Sequence, residues 1–321
     1  MIFLYFLLII IGFAVTIKGA DFLVDGASAL AKKFGISEIV IGLTIVALGT
    51  SAPEMVVNVY SSLNGKDELI LGNIIGSNLF NTLVILGIAA FIYPVTVKKA
   101  TALFEIPYSL LATIVVAVLA NDIFLKTGNA DILTRLNGFI LFIFFGIFII
   151  YIIRMTMKDM SDDDEGIPEM SLSKSSILIV SGMIGLTLGG KLVVDYAVLV
   201  AKGLGVSDAL IGLTILAAGT SLPELVTAVV AAKKKKSDIV IGNVVGSNIF
   251  NVFLVLATSA VISPIKFKES LNIDLSVLSL GGVFLIIFMF WGKPKYVVDK
   301  KEGTILISLY IGYFIYMMIR M

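Results

Sequence analysis

Long apolar runs, separated by short polar connections, dominate the chain from one end to the other. Runs such as Ile2–Ile17, Leu136–Ile153 and Leu275–Trp291 approach or reach the ~20 apolar residues that a helix needs to cross a bilayer. The pattern predicts an all-α polytopic membrane protein with ten transmembrane helices, at residues 2–31, 36–63, 69–93, 101–120, 136–153, 176–201, 206–232, 238–262, 272–291 and 303–319.

The two halves of the chain repeat one another at a constant offset, the one that separates Glu54 from Glu224. Between residues 19–85 and 189–255, 29 of the 67 aligned positions are identical without a gap. Five spans is an odd number, so the second half is expected to enter the membrane inverted, as in many secondary transporters. The predicted division is a first five-helix repeat at 1–157, a cytoplasmic linker at 158–175 and a second, inverted five-helix repeat at 176–321.

Lysine and arginine residues divide unequally between the two sides that ten spans would create. The connections after odd-numbered spans carry 15 of them and the opposite side carries 7, with Lys18 and Lys191 inside spans. The richer side should be cytoplasmic. Both termini are therefore predicted to be extracellular, in a multi-pass protein of the cell membrane. The acidic run Asp162–Glu165 falls in the linker and is interpreted as a solvated segment.

Composition supports a membrane location and narrows the chemistry. Apolar residues make up 58% of the chain and the mean hydropathy is +1.05, whereas soluble domains are roughly 45–50% apolar. The chain has no cysteine and no histidine, which argues against disulfides, thiolate chemistry and the usual zinc and copper sites. The net charge of +1 gives no indication of a nucleic-acid partner, so the lipid bilayer is the expected surrounding.

Two acidic residues interrupt the apolar pattern at matching positions. Glu54 ends the phrase Gly-Thr-Ser-Ala-Pro-Glu and Glu224 ends the phrase Gly-Thr-Ser-Leu-Pro-Glu, each inside a predicted span. Proline removes a backbone donor and glycine weakens a helix, so we expect helix breaks at Gly49–Ala52 and Gly219–Leu222. Ser51 or Ser221 could then cap the helix that follows. Broken backbone at membrane depth is tolerated where it lines a cavity, which makes the carboxylates candidate cation ligands. The freed carbonyls are further candidates, namely those of Ala47, Thr50, Ala217 and Thr220.

The span after each break carries a polar stripe. Asn73, Ser77 and Asn81 lie four residues apart on one helical face, and the second half repeats them as Asn243, Ser247 and Asn251. One such stripe could serve only as hydrogen-bonding contact between helices. Two stripes that each follow a break with a glutamate favour a shared site near the midplane. All its ligands would be oxygens, which suits Ca²⁺, and two carboxylates balance one Ca²⁺.

The four phrases resemble the alpha repeats of the calcium:cation antiporter superfamily, specifically its prokaryotic-type sodium/calcium exchangers. Besides the two glutamate phrases, the resemblance rests on Gly-Asn-x-x-Gly-Ser-Asn-x-Phe-Asn at 72–81 and 242–251. It implies a secondary active antiporter that exchanges about three Na⁺ for one Ca²⁺, electrogenically and by alternating access. Na⁺ and Ca²⁺ would be transported substrates, with no organic cofactor and no enzymatic activity. The first span of each half would slide against a fixed core, in a protein that we expect to act as a monomer.

By position, the resemblance assigns metal ligands in both halves. Calcium would be held by Glu54 and Glu224 together with the carbonyls of Thr50 and Thr220. One sodium site would consist of Ala47, Thr50, Ser51, Glu54 and Ser247. Its symmetry mate would consist of Ala217, Thr220, Ser221, Glu224 and Ser77. Asn81 and Asn251 would complete the central site. Some relatives have aspartate at the position of Asn251, so this chain has one acidic group fewer there.

Three alternatives stay open on the residues alone. A proton-coupled calcium antiporter would use the same carboxylates and differ in the driving ion. A cation channel would need a continuous pore. An intramembrane protease would use the acidic residues for general acid–base work, which carbonyl-rich breaks suit less well than ion coordination. Outside the site, Lys18 with Asp21 and Lys191 with Asp195 have helix-neighbour spacing, which we interpret as charge neutralisation.

Overall fold

Long apolar segments form the helices of this protein, and polar phrases with glycine or proline mark where they end. The computed structural model describes residues 2–122, 131–158, 170–206 and 217–320. In the first half the helices are α1 Ile2–Phe34, α2 Glu38–Thr50, α3 Ala52–Leu63, α4 Asp67–Ile92, α5 Lys99–Ala120 and α6 Arg135–Lys158. In the second half they are α7 Leu172–Gly203, α8 Ala217–Gly219, α9 Leu222–Lys233, α10 Ser237–Ile262, α11 Leu271–Trp291 and α12 Lys300–Arg320.

The helices confirm the predicted all-helical polytopic membrane fold. Among the described residues, 8 helices are long and apolar enough to cross a membrane, and the bent pair of α2 and α3 brings the number to 9. Residues 207–216 of the predicted seventh span and the acidic run Asp162–Glu165 lie outside the described residues. Helix α7 begins at Leu172 rather than at residue 176. The reason is that the Oγ of Ser171 accepts a hydrogen bond from the backbone N of Lys174 at 3.3 Å and caps the helix.

Two short antiparallel strand pairs, which the sequence pattern did not predict, join the connections at the helix ends. Strand β1 (Val95–Thr96) pairs with β4 (Val297–Val298), and β2 (Ile132–Leu133) pairs with β3 (Ile265–Lys266). Two-residue strands are too short to produce a recognisable alternation. The first pair joins the connections after predicted spans three and nine, and the second joins those after spans four and eight. This grouping agrees with connections that alternate between two sides of a membrane.

Helix α10 forms the centre of the bundle. In its most apolar stretch 94% of the residues are buried, compared with 11% in α12, which lies at the periphery. Helix α10 crosses α2 at a contact between two glycines, where a Cβ added to Gly242 would lie 2.8 Å from the Cα of Gly42. Small residues at a crossing allow two helix backbones to approach closely. The glycines therefore bring the second-half polar stripe against the first-half break.

Helices α1 and α7 pack against each other along a row of glycines. A Cβ at Gly12 would lie 3.0 Å from the carbonyl O of Gly189, and one at Gly19 would lie 2.9 Å from the carbonyl O of Gly182. The residue numbers run in opposite directions, so the two helices are antiparallel. Their backbones leave no room for larger side chains at these positions, and the pair therefore forms a tightly packed unit along one flank of the bundle.

One lysine connects this unit to the rest of the bundle. The Nζ of Lys234, just after α9, lies 3.0 Å from the Oδ1 of Asp21 and 2.8 Å from the Oδ1 of Asp25, both on α1. The interpretation of Lys18 as the partner that neutralises Asp21 was wrong, because the Nζ of Lys18 lies over the ring of Phe22 instead. Helix spacing only permits such a pair, and the lysine that follows α9 makes the ion pair with Asp21 instead.

Replacing Lys234 with Asn, the residue at the equivalent position 64 of the first half, is expected to lower the midpoint of thermal unfolding by a few degrees. Each partly exposed ion pair contributes about 0.2–1 kcal/mol, and the substitution removes two. Unfolding in detergent at low and high salt measures the effect, which should shrink in high salt. Lys233→Asn alters the neighbouring exposed lysine and serves as the control. Equal midpoints for the two variants would contradict the role of Lys234.

Candidate cation site at the broken helices

Both predicted helix breaks are present. Helix α2 ends at Thr50 and α3 begins at Ala52, with a bend of 47° between them, and Ser51 connects the two helices. In the second half α8 ends at Gly219 and α9 begins at Leu222. Proline is the second residue of the helix after each break. Because Pro53 has no N–H, the carbonyl of Gly49 lacks its usual helical donor four residues later.

The serines at the breaks do not cap the following helices, which corrects one expectation. Neither Ser51 nor Ser221 accepts a capping hydrogen bond through its side chain. The Oγ of Ser51 instead donates to the Oε1 of Glu224 at 3.2 Å. The hydroxyl of the first break thus binds the carboxylate of the second. A residue of the other half has taken the place of the backbone N–H that a capping serine would bind.

The two carboxylates occupy the first turns of α3 and α9 and are fully buried. They lie close enough to interact electrostatically, and Ser77 and Thr220 flank Glu54. Residues of both halves flank Glu224, namely Ser51, Thr50 and Ser247. Within the described residues, neither oxygen of Glu54 accepts a hydrogen bond, and the Oε2 of Glu224 accepts none. The first turn of a helix favours negative charge, so the backbone around both carboxylates assists their position.

Hydrogen bonds join each break to the polar stripe of the other half. The Oγ1 of Thr50 donates to the Oδ1 of Asn243 at 3.0 Å, and the Oγ1 of Thr220 donates to the Oδ1 of Asn73, also at 3.0 Å. These two bonds are equivalent under the repeat. The Oγ1 of Thr50 also lies 3.3 Å from the Oγ of Ser247. The predicted residues of the two halves are therefore brought together in one place.

A second set of bonds orders the asparagines further along α4 and α10. The Nδ2 of Asn81 donates to the Oδ1 of Asn248 at 3.2 Å, and the Nδ2 of Asn251 donates to the Oδ1 of Asn78 at 3.1 Å. Asn81 and Asn251 lie in π-helical turns, at Phe80–Ile85 and Asn251–Leu256. Such turns are frequent at functional sites because they redirect side chains out of the regular helical row.

Seven buried side-chain oxygens at this centre have no hydrogen-bond partner within the described structure. Leaving a buried polar atom unpaired costs free energy, so each one calls for an explanation. Among the described residues those of the centre are Glu54 Oε1 and Oε2, Glu224 Oε2, Ser77 Oγ, Ser221 Oγ, Asn81 Oδ1 and Asn251 Oδ1. Carboxylate, hydroxyl and amide oxygens are ligands of hard cations such as Na⁺ and Ca²⁺. The arrangement therefore suits such a cation. The unpaired nitrogen that the described residues place here is the Nδ2 of Asn73, and an amide NH₂ is a donor rather than a metal ligand.

The remaining predicted ligands have mixed outcomes. The carbonyl of Ala47 is not freed by the break, because it accepts a hydrogen bond from the backbone N of Ser51 at 2.9 Å. The Oγ1 of Thr50 also lies 3.2 Å from it, and the single hydrogen of that hydroxyl is shared between Ala47 and Asn243. The helix continues to Thr50 before it breaks, which keeps this carbonyl engaged. Ala217 is the first residue of α8, directly after the undescribed segment 207–216.

Asparagines 78 and 248 contribute more to the centre than the sequence suggested. Both were visible in the repeated phrases, but they lie off the four-residue stripes on which the sequence argument concentrated. Their recurrence at the same offset as the glutamates was the signal that could have identified them. Asn78 and Asn248 hold the side chains of the stripe rather than facing the unpaired oxygens.

Fold and site together define a multi-pass membrane protein whose two broken helices enclose a buried, oxygen-lined polar centre. The family model described as sodium/calcium exchanger protein matches residues 4–154 and 174–319. This chain belongs to the sodium/calcium exchanger protein family.

Individual relatives match almost the whole chain. It is 31% identical to the sodium/calcium exchanger MaX1 of Methanosarcina acetivorans over 352 residues, covering 98% of this chain and 99% of the relative. It is 34% identical to the inner membrane protein YrbG of Escherichia coli over 303 residues, covering 90% and 89% of the two chains. A solved structure of the sodium-calcium exchanger NCX_Mj, soaked with Na⁺ and Ca²⁺, superposes with a TM-score of 0.82 at 32% identity and covers 97% of each chain.

Proposed function

We propose that this protein is a secondary active antiporter that moves Ca²⁺ across the membrane in exchange for Na⁺, by alternating access. The observation that carries the proposal is the group of buried, unpaired oxygens around Glu54 and Glu224. The relatives support the choice of ions, since MaX1 is a sodium/calcium exchanger and the solved NCX_Mj was soaked with both ions. The ion pairs among the described residues include neither Glu54 nor Glu224, so this buried acidic pair needs a cation or protons for compensation.

The proposed ligands follow the two breaks and the two stripes. Ca²⁺ would bind between Glu54 and Glu224, with the carbonyls of Thr50 and Thr220. The two proposed sodium sites share these carboxylates and add the nearby hydroxyls, in one case Ser51 and Ser247 and in the other Ser221 and Ser77. Asn81 and Asn251 would offer their unpaired Oδ1 atoms to the central site. Ala47 and Ala217 would contribute only carbonyls, and that of Ala47 could bind an ion only after the hydroxyl of Thr50 gives up its contact with it.

Shared ligands explain how the two fluxes are coupled. Ca²⁺ and a full set of Na⁺ would place several positive charges within a few ångströms, where repulsion is strong even at an effective dielectric constant of about 20. Occupancy by one ion therefore excludes the other. Three Na⁺ against two carboxylates leave a net charge of about +1, which responds to membrane potential by about 2.3 kcal/mol per 100 mV, whereas one Ca²⁺ leaves none.

The proposed moving part is the unit of α1 and α7. Helix α7 lies against both breaks, since a Cβ at Gly49 would meet the side chain of Met183 and one at Gly219 would meet that of Val194. Sliding of this unit would uncover one break at a time. The halves 1–157 and 176–321 would be inverted repeats joined by a cytoplasmic linker, with both termini outside and the protein acting as a monomer.

In proteoliposomes, a Na⁺ gradient as the only driving force is expected to produce uptake of ⁴⁵Ca²⁺, because Na⁺ leaving the vesicle frees the shared carboxylates. A K⁺ gradient or a pH gradient alone should give no more uptake than liposomes without protein. An interior-positive potential should accelerate uptake, since each cycle would carry one net charge outward.

Three results would contradict parts of this proposal. Uptake driven by a pH gradient in the absence of Na⁺ would identify a proton-coupled antiporter. Unitary currents in planar bilayers would identify a channel. Uptake driven by Na⁺ but independent of membrane potential would contradict the stoichiometry of three to one while leaving the exchange itself intact.

A further inference from the structure

We propose that Asn78 and Asn248 are positioning residues that set the amide orientation of Asn251 and Asn81, so that both present an oxygen rather than an NH₂ group to the proposed cation site. The inference rests on the proposed function. An amide has an orientation that a carboxylate lacks, because its oxygen carries a partial negative charge and its NH₂ group a partial positive charge. An amide turned by 180° would replace a cation ligand with a hydrogen-bond donor.

The orientation of the Asn251 amide follows from two successive hydrogen bonds, each of which can form in one direction only. The Nδ2 of Asn78 donates to the backbone carbonyl of Asn248 at 3.2 Å. A carbonyl can only accept, so this contact requires the NH₂ end of Asn78. The Oδ1 of Asn78 must then face Asn251, which can pair with it only through Nδ2, at the observed 3.1 Å. The Oδ1 of Asn251 is thereby left buried and without a partner in the described structure.

A similar series of two hydrogen bonds holds Asn81, but its last partner restricts the amide orientation less. The Oδ1 of Asn248 accepts from the Nδ2 of Asn81 at 3.2 Å, while the Nδ2 of Asn248 donates to the Oγ1 of Thr82 at 2.8 Å. A hydroxyl both donates and accepts, so Thr82 would tolerate either orientation of Asn248. The position equivalent to Thr82 in the second half is Val252, which has no hydroxyl. The series of hydrogen bonds that ends at Asn251 is fixed by a backbone carbonyl instead. The orientation of Asn251 is therefore the more firmly determined of the two.

The four asparagines form one buried unit between α4 and α10. Asn81 and Asn251 are fully buried, and Asn78 and Asn248 are 2% and 4% exposed. Water has little access to replace a lost partner, so removal of Asn78 would leave the Nδ2 of Asn251 unpaired and its amide free to turn. A positioning role predicts that Asn78 affects ion binding only through Asn251. A structural role predicts an effect that is independent of Asn251.

A double-mutant cycle separates the two roles. The half-saturating concentrations of Na⁺ and Ca²⁺ are measured by ⁴⁵Ca²⁺ exchange for the parent, Asn78→Ala, Asn251→Ala and the double variant. Loss of one ligand oxygen is expected to raise at least one of these concentrations roughly tenfold in Asn251→Ala. Asn78→Ala should raise the same concentration to a similar extent, and the double variant should be no worse than Asn251→Ala.

Further variants test whether the changes in ion binding arise from a general loss of packing. Asn121→Ala removes a reciprocal amide pair with Asn272, at 2.9 and 3.0 Å, which joins α5 and α11 outside the proposed site. This variant should keep the parental half-saturating concentrations. Thr82→Val removes the hydroxyl anchor of Asn248 and should produce a smaller increase than Asn78→Ala. The ion-induced rise in the midpoint of thermal unfolding provides a second measure that does not depend on transport.

The outcomes distinguish this proposal from the proposed function. Effects of Asn78→Ala and Asn251→Ala that multiply to roughly a hundredfold would show independent roles and overturn the positioning role. The same holds if Asn251→Ala weakens binding and Asn78→Ala does not. A folded parent that neither exchanges nor binds the two ions would overturn the proposed function and the positioning role together.

Discussion

Glu54→Gln is expected to reduce Na⁺-driven ⁴⁵Ca²⁺ uptake by more than a hundredfold while the variant remains folded. The substitution keeps the size of the side chain and removes one of the two buried charges that would balance Ca²⁺. Removing one partner of a buried charge pair costs about 3–5 kcal/mol, and each ~1.4 kcal/mol is a factor of ten in binding. Both oxygens of Glu54 lack a hydrogen-bond partner in the described structure, so the loss should fall on the ion and spare the fold.

A second buried glutamate provides the control for this experiment. Glu105 on α5 is 1% exposed, and its Oε1 accepts a hydrogen bond from the hydroxyl of Tyr151 at 2.6 Å. Glu105→Gln replaces a buried carboxyl group of the same bundle with an amide without touching the proposed ligands, and it should retain parental uptake. If Glu54→Gln transports ⁴⁵Ca²⁺ at the parental rate, the assignment of the carboxylates is wrong.

Gly182→Val is expected to abolish exchange and to lower the thermal stability of the protein. A Cβ at position 182 would lie 2.6 Å from the backbone N of Leu23 and 2.8 Å from the carbonyl O of Gly19. Both obstacles are backbone atoms, so no side-chain rotation relieves them and α1 must move away from α7. Overpacking of this kind costs typically about 1–3 kcal/mol, and occasionally more. Exchange in proteoliposomes and the midpoint of unfolding in detergent measure the two effects.

Gly146→Val on α6 is the matched control, because no described heavy atom lies within 4 Å of the Cβ that it would add. This variant introduces the same side chain into a membrane helix and should retain both exchange and stability. Parental exchange by Gly182→Val would show that the close contact of α1 and α7 is not needed for transport. A folded but inactive Gly182→Val would instead support a role of this contact in the movement itself.

The repeat offset was the most informative signal for the site. It singled out Glu54 and Glu224, and the structure buries both fully and bonds Ser51 of the first break to Glu224 of the second. Local rules were less reliable at the breaks. They allowed Ser51 or Ser221 to cap the helix after its break, whereas the hydroxyl of Ser51 binds Glu224, which lies 173 residues away in the chain. A local capping rule cannot anticipate a stronger acceptor that arrives from the other half of the molecule.

Pairings between the halves could not be derived from either half alone. Thr50 donates to Asn243 and Thr220 donates to Asn73, across 193 and 147 residues. The constant offset between the halves predicts that the two contacts are equivalent, but it does not predict which residues form them. For the second-half stripe the glycine contact between α2 and α10 determines this, because it sets how far α10 reaches toward the first-half break.

By itself, the sequence determined the membrane-spanning helices, the places where two of them break and the oxygen chemistry of the residues beside those breaks. These are local properties of apolar length, of proline and glycine, and of side-chain type. Only the tertiary structure decided which oxygens are left unpaired, among them the Oδ1 atoms of Asn81 and Asn251. That choice depends on partners from the opposite half, whose positions follow from helix packing rather than from neighbouring residues.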